Sequence, residues 1–231
     1  MFLQTTISEP ANATYDAIYL SDKYVIIGVD SRQTERDGQH QDDTCKIALA
    51  NTGIAYSFIG PRGILGLGID FFDLLKAATM ETKTPREAAD RFADTALQSA
   101  NTIPREARAS IDVRQVVGVF LTAGTDRTEA VLGFVSQNER TLEFKKHIWA
   151  NFPLDDVKGL NDFGKTEHLR GGLFSKDQDV TQNAEDMKTL VSRIIDAKIS
   201  DNIGGHPTVL VLEAGKRPYW HSRVPSCPSL E

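Results

Sequence analysis

Short runs of alternating apolar and polar positions dominate the first sixty residues. Tyr15–Leu20 and Tyr24–Val29 read as strands around the turn Ser21-Asp22-Lys23, which predicts a β-hairpin. Cys45–Ala50 and Ile54–Ile59 repeat the pattern around Asn51-Thr52-Gly53. The stretch Ser31–Asp43 between them is polar and reads as a loop, and Gly60–Gly68 is a glycine-rich connection. The period then changes. A helix is expected over about Ile69–Ala78, and another opens at Thr84-Pro85-Arg86-Glu87. That tetrapeptide combines a cap, a proline at the first helical position and a capping-box glutamate. Ala88, Ala89, Phe92, Ala96 and Ala100 recur at helical spacing behind it.

Strand patterns return at Val116–Ala123, Ala130–Val135 and Thr141–Ile148. Asn151–Asp179 is polar and shows little periodicity. A helix over Ala184–Ile199 would carry Met187, Leu190, Val191, Ile194 and Ile195 on one face. Thr208–Leu212 and Pro218–Ser222 are the last strands. The tail Val224–Glu231 holds two prolines and is expected to fray. Runs of strands followed by runs of helices predict an α+β chain with antiparallel sheets rather than a doubly wound parallel one.

Composition narrows the function classes. The 231 residues are 40% hydrophobic and 25% charged, a globular balance that excludes a disordered or fibrous chain. The formal charge is −6 and the pI about 5.4, so a nucleic-acid backbone is not an expected partner. The first residues lack a basic start and an apolar run, and no apolar stretch is long enough for a bilayer; a cytoplasmic location without membrane contact is expected. Cys45 and Cys227 are the only cysteines. Two cysteines make no disulfide framework and fit a reducing compartment, with Cys45 as strand packing.

Most candidate chemistry is weak. The run from Gly60 to Gly68 lacks a Gly-Lys-Ser/Thr ending and the Gly-x-Gly-x-x-Gly order, so nucleotide binding is not expected. His40, His147, His168, His206 and His221 do not fall at metal-ligand spacing, and neither metal nor cofactor is expected. Asp30-Ser31-Arg32 alone would read as a strand-end turn with a surface ion pair. Lys46 is different: a lysine in an apolar strand needs a charge partner, and Asp30 is the natural one.

One set of spacings is more specific. Thr14 begins the first strand, Asp30-Ser31-Arg32 ends the second, Lys46 opens the third in a Lys-Ile pair, and Gly60 ends the fourth. The separations are 16, 16 and 14 residues, and Gly204-Gly205 precedes a late strand. In these features the chain resembles the proteasome β-type subunits of the N-terminal-nucleophile hydrolases, over about Thr14–Val135 and Ala184–Leu212. The resemblance implies a four-layer αββα sandwich, two antiparallel sheets between helix layers, spanning residues 14–223. It implies a homo-oligomer, in a ring or a face-to-face stack through the faces carrying the paired helices, a peptide or small amide substrate, and no cofactor. Thr14 would be the nucleophile and its own α-amine the base, once an extension of residues 1–13 is removed. Lys46 would favour the deprotonated hydroxyl, Asp30 would orient Lys46, and the Gly60 N–H would meet the oxyanion. Arg32 and Asp201 would support them.

The chain also departs from that pattern. Ala13 stands where family propeptides end in glycine. Trp149-Ala150-Asn151-Phe152-Pro153 lacks the family's serine, and Asp201 lies one position from the place of the family's aspartate. A non-catalytic structural or binding protein with an uncleaved extension is therefore the alternative reading.

Overall fold

The computed structural model describes residues 15–34, 39–60, 63–64, 68–108, 115–125, 127–138, 140–150, 173–174 and 178–230. Thr14, the extension 1–13, His168 and most of 151–179 lie outside the described residues, as does much of the glycine-rich run.

In chain order the elements are β1 (Asp16–Leu20), β2 (Tyr24–Val29), β3 (Gln33–Thr34), β4 (His40–Gln41), β5 (Ile47–Leu49), β6 (Ala55–Ile59), β7 (Gly63–Ile64) and β8 (Ile69–Asp70). Then come α1 (Phe71–Met80), α2 (Pro85–Asn101), α3 (Arg105–Arg108), β9 (Gln115–Ala123), β10 (Thr128–Gln137) and β11 (Phe144–Ala150). Last are α4 (Val180–Asp196), β12 (Thr208–Glu213) and β13 (Tyr219–Ser222). The expected hairpins form: β1 pairs antiparallel with β2, and β5 with β6. The helix starts follow local chemistry. Asp70 caps α1 through the amides of Phe72 and Asp73, and Thr84 caps α2 through that of Glu87.

Two larger sheets carry the fold, one in the order β1-β2-β12-β13 and one in the order β11-β10-β9-β6-β5. The pairs β3–β4 and β7–β8 are short ribbons. Alternation along each strand separates three apolar clusters. Val25, Ile27, Val29, Leu210 and Leu212 of the first sheet meet Ile59, Val119, Leu121 and Leu132 of the second. On the second sheet's other face, Phe120, Val131 and Val135 pack on Leu75, Ala89 and Phe92 of α1 and α2. On the first sheet's other face, Ile26, Val209 and Val211 pack on Met187, Leu190 and Val191 of α4.

The expected four-layer αββα sandwich needs correction. The described chain is mostly β, with 28% helix, and its helical cover is uneven. The second sheet has α1 and α2, whereas among the described residues only α4 lies on the first. A helix with its side chains is ~10–12 Å wide, while four strands at ~4.8 Å spacing form a broader surface. One helix cannot make a layer there, and Leu173, Phe174 and Tyr219 also pack on that side.

The tail also differs from the sequence reading. Cys227 is bonded to Cys45, across 182 residues, so the two cysteines are not free thiols and Cys45 is not mere packing. Val224 and Cys227 are buried, Leu230 packs against the inter-sheet cluster, and the Trp220 Nε1–H donates to the Pro228 carbonyl at 2.9 Å. Proline content alone suggested fraying; a covalent tie and an apolar anchor at Leu230 hold the segment down. Closing so long a loop restricts the unfolded chain strongly. Cys227→Ser is expected to lower unfolding stability by about 3–5 kcal/mol, read as a lower denaturant midpoint in non-reducing buffer. Unfolded wild-type protein that titrates two thiols without reductant would count against the bond.

Candidate functional site

Asp30 follows β2 and is wholly buried. Its carboxylate collects donors from four segments. The Tyr15 amide donates to Oδ1 at 2.9 Å, and the amides of Gly204 and Arg32 donate to Oδ2 at 3.1 and 3.2 Å. The Lys46 ammonium donates to both oxygens, at 3.0 and 3.1 Å. The sequence reading therefore holds for this pair, whose side chains are 0% and 11% exposed for Asp30 and Lys46. Buried carboxylates persist only with such partners.

Ser31 and Arg32 extend the cluster. The Ser31 and Arg32 amides both donate to the Gly204 carbonyl, the Thr44 amide donates to the Ser31 carbonyl, and the His206 amide donates to Ser31 Oγ at 2.7 Å. The Arg32 guanidinium forks onto Asp42, Nε to Oδ1 at 2.6 Å and Nη2 to Oδ2 at 2.9 Å. That hydrogen-bonded cation holds the Asp42 carboxyl below the usual range. Gly204-Gly205 is the turn that fits here. A Cβ on Gly204 would overlap the Arg32 guanidinium. One on Gly205, where φ is +76°, would overlap the Asp42 carbonyl and Ser31 Oγ. The Asp30-Ser31-Arg32 triplet is thus a buried junction, not the surface turn that the triplet alone suggests.

The other expected residues fall as follows. Gly60 is buried directly after β6 with φ at 118°, a conformation that favours glycine. Asp201 is exposed, and what reaches Arg32 is its backbone carbonyl, accepting from Nη1 at 3.1 Å. Thr14 lies outside the described residues; its neighbour Tyr15 is the residue whose amide meets Asp30.

Sequence reasoning missed Asp16. It sits on β1 opposite Val29, and Val29 lies opposite Thr208 on β12. Residues directly opposite share a face, and Val29 belongs to the inter-sheet cluster, so Asp16 and Thr208 face inward. Ser57, between the inward residues Ala55 and Ile59 of β6, faces them from the second sheet. Both carboxyl oxygens of Asp16, Ser57 Oγ and Thr208 Oγ1 are buried without a hydrogen-bond partner among the described residues. Burial pushes the Asp16 carboxyl up to about 7. The nearby Ser57 hydroxyl and the Lys46 charge oppose that rise, and the Asp30 charge adds to it. Ser57 is close enough to act on Asp16 yet falls short of hydrogen-bond geometry. The signal was present in the alternation, because an aspartate shares a strand face with Ile18.

No protein-family model matches the chain, and no curated protein sequence matches it significantly. The residues themselves therefore carry any functional reading.

Asp30→Ala is expected to cost at least about 3 kcal/mol in a denaturant melt, since Lys46 is left nearly buried and unpaired and the amides of Tyr15, Gly204 and Arg32 each lose a hydrogen bond to the carboxylate. A loss under 1 kcal/mol would show that the junction does not hold the fold.

Asp16 has the opposite sense. Burial pushes its native carboxyl from the ordinary 3.8 up to about 7, so its ionisation opposes folding. The penalty is absent below about pH 4, grows by ~1.4 kcal/mol per unit, and is complete above about pH 7. Between about pH 4 and about pH 8, the stability of Asp16→Asn relative to wild type should move in the variant's favour by up to about 4 kcal/mol. A difference independent of pH would show that Asp16 titrates normally.

Proposed function

We propose that the protein is an amide hydrolase of the N-terminal-threonine type, acting on a peptide or small amide through Thr14 once residues 1–13 are removed. One observation carries the reading. The Lys46 ammonium and the Tyr15 amide share the Asp30 carboxylate, so a fixed cation lies at the residue that follows Thr14. Among the described residues, every Lys46 hydrogen bond goes to Asp30. An ammonium has three N–H donors, and two oxygens do not need them all. The remaining donor is available to a hydroxyl at the start of the chain.

The chemistry then runs as an acyl transfer. The Thr14 oxygen attacks the amide carbon as its proton passes to the freed α-amine, and the oxyanion takes the Gly60 N–H. Collapse expels the amine, which takes that proton, and leaves an ester on Thr14. Water hydrolyses the ester. An α-amine titrates near ~8, which suits a base at neutral pH. With the extension attached, the Thr14 nitrogen is an amide and cannot accept the proton. In this reading the protein works in the cytoplasm, and the Cys45–Cys227 bond is then a redox-dependent tie.

A second reading has its own observation. Three of the five hydrogen bonds to Asp30 come from backbone amides of separate segments, which is what a purely structural clamp needs. The non-catalytic reading uses the same ion pair for stability alone.

The test compares full-length protein, protein beginning at Thr14, and its Thr14→Ala variant, with fluorogenic peptides and a threonine-directed covalent inhibitor. Turnover and a mass adduct are expected only in the form beginning at Thr14. Turnover by intact full-length protein, unaffected by Thr14→Ala, would remove Thr14 from its role. Silence and no adduct in all three forms would leave the structural clamp.

A further inference from the structure

The Lys46–Asp30 pair is electrically balanced, and a third ionisable group stands beside it. Asp16 is 6% exposed, points between the sheets, and has two carboxyl oxygens without a partner among the described residues. Among the described residues, the charged groups that act on it are Lys46, ahead of β5, and Asp30, after β2. Ser57 of β6 and Thr208 of β12 face it with hydroxyls, and the residues that β9 and β10 bring to the inter-sheet cluster, from Val117 to Phe134, are apolar. A buried carboxylate without donors is costly, so burial among apolar residues favours the neutral acid.

We propose that Asp16 is a positioning residue that sets the charge of this centre: neutral, it leaves the Lys46–Asp30 pair balanced, and ionised, it adds one negative charge beside the ammonium. The step is a single proton transfer. The Asp16 O–H bond breaks, the proton leaves to solvent, and no other bond changes. The inference deepens the hydrolase reading and rests on it for its consequence. A negative charge added beside Lys46 opposes the negative charge that develops on the attacking and carbonyl oxygens, so the working form carries Asp16 neutral. Ionisation of Asp16 then gives the rate an alkaline fall. The geometry makes Asp16 sensitive to two neighbours. Removing the Lys46 cation or the Ser57 hydroxyl takes away an influence that favours the carboxylate, so each change shifts the Asp16 titration to higher pH.

The test is a titration of the full chain, following the side-chain carboxyl carbon of Asp16 by NMR with labelled aspartate and assigning it by its loss in Asp16→Asn. A midpoint in the neutral range is expected in wild type, with higher midpoints in Ser57→Ala and in Lys46→Met. Wild type needs no variant to fold, and Ser57→Ala leaves the ion pair intact if Lys46→Met does not fold. A midpoint in the ordinary carboxyl range, or one unmoved in Ser57→Ala, overturns the proposal. In protein active by the criterion above, the alkaline fall in kcat/KM should track the Asp16 midpoint and vanish in Asp16→Asn. A fall that persists in the variant also overturns it. A neutral, neighbour-sensitive titration in protein that never hydrolyses an amide would sink the hydrolase reading and leave the charge-setting role. Hydrolysis with Asp16 ionised throughout would do the reverse.

Discussion

The buried carboxylate of Asp30 is the constraint on which the rest of the molecule turns. Taking such a charge out of water costs several kcal/mol even after relaxation, and that cost is offset only when enough donors arrive together. Here they come from the start of β1, the chain after β2, the residue ahead of β5 and the turn ahead of β12. These segments lie up to 174 residues from Asp30 along the chain, so the carboxylate is satisfied only when the first sheet has closed and β5 has come to meet it. The same requirement explains the turn chemistry. Gly204 must present its amide to Asp30 while the Arg32 guanidinium lies against its Cα, which leaves no room for a side chain.

Local features of this arrangement were legible from residue order. The hairpins at Tyr15–Val29 and Cys45–Ile59 follow from alternation, and Thr84-Pro85 marks the start of α2 because capping is a short-range effect. The Asp30–Lys46 pair was legible for a different reason: a lysine among apolar strand residues demands an opposite charge. Features set by distant partners were not legible. Nothing near Cys45 announces Cys227, and a count of two cysteines argued the wrong way. Prolines at 225 and 228 describe the tail's local stiffness, not the bond that fixes it. The number of helices on each sheet face depends on how long segments pack, which periodicity does not reveal.

Asp16 shows a third kind of miss. Its position on an inward face follows from the alternation of β1, but it belongs to no spaced motif, and burial without partners shows only in three dimensions. The inter-sheet layer is apolar along most of its length and turns polar near Lys46, where Asp16, Ser57 and Thr208 stand without partners among the described residues. Stability alone does not account for such a patch, because well-packed apolar residues would remove the desolvation cost. Departures from good packing concentrate where a protein holds chemistry. The patch and the ion pair are best understood as one place.

Lys46 is where the structural and chemical accounts can be told apart. Its side chain is held by the Asp30 carboxylate, and its backbone neighbour Cys45 is bonded to Cys227. A lysine left to itself has a long, flexible stem, and fixing it costs rotamer entropy that the two hydrogen bonds to Asp30 must offset. A clamp is also complete once both charges are matched. Among the described residues, this one keeps an ammonium with 11% of its side chain exposed and hydrogen-bonding capacity beyond its two contacts to Asp30. A fixed cation with a donor to spare can hold a hydroxyl or an oxyanion in place without reorganising, which is the condition for electrostatic catalysis.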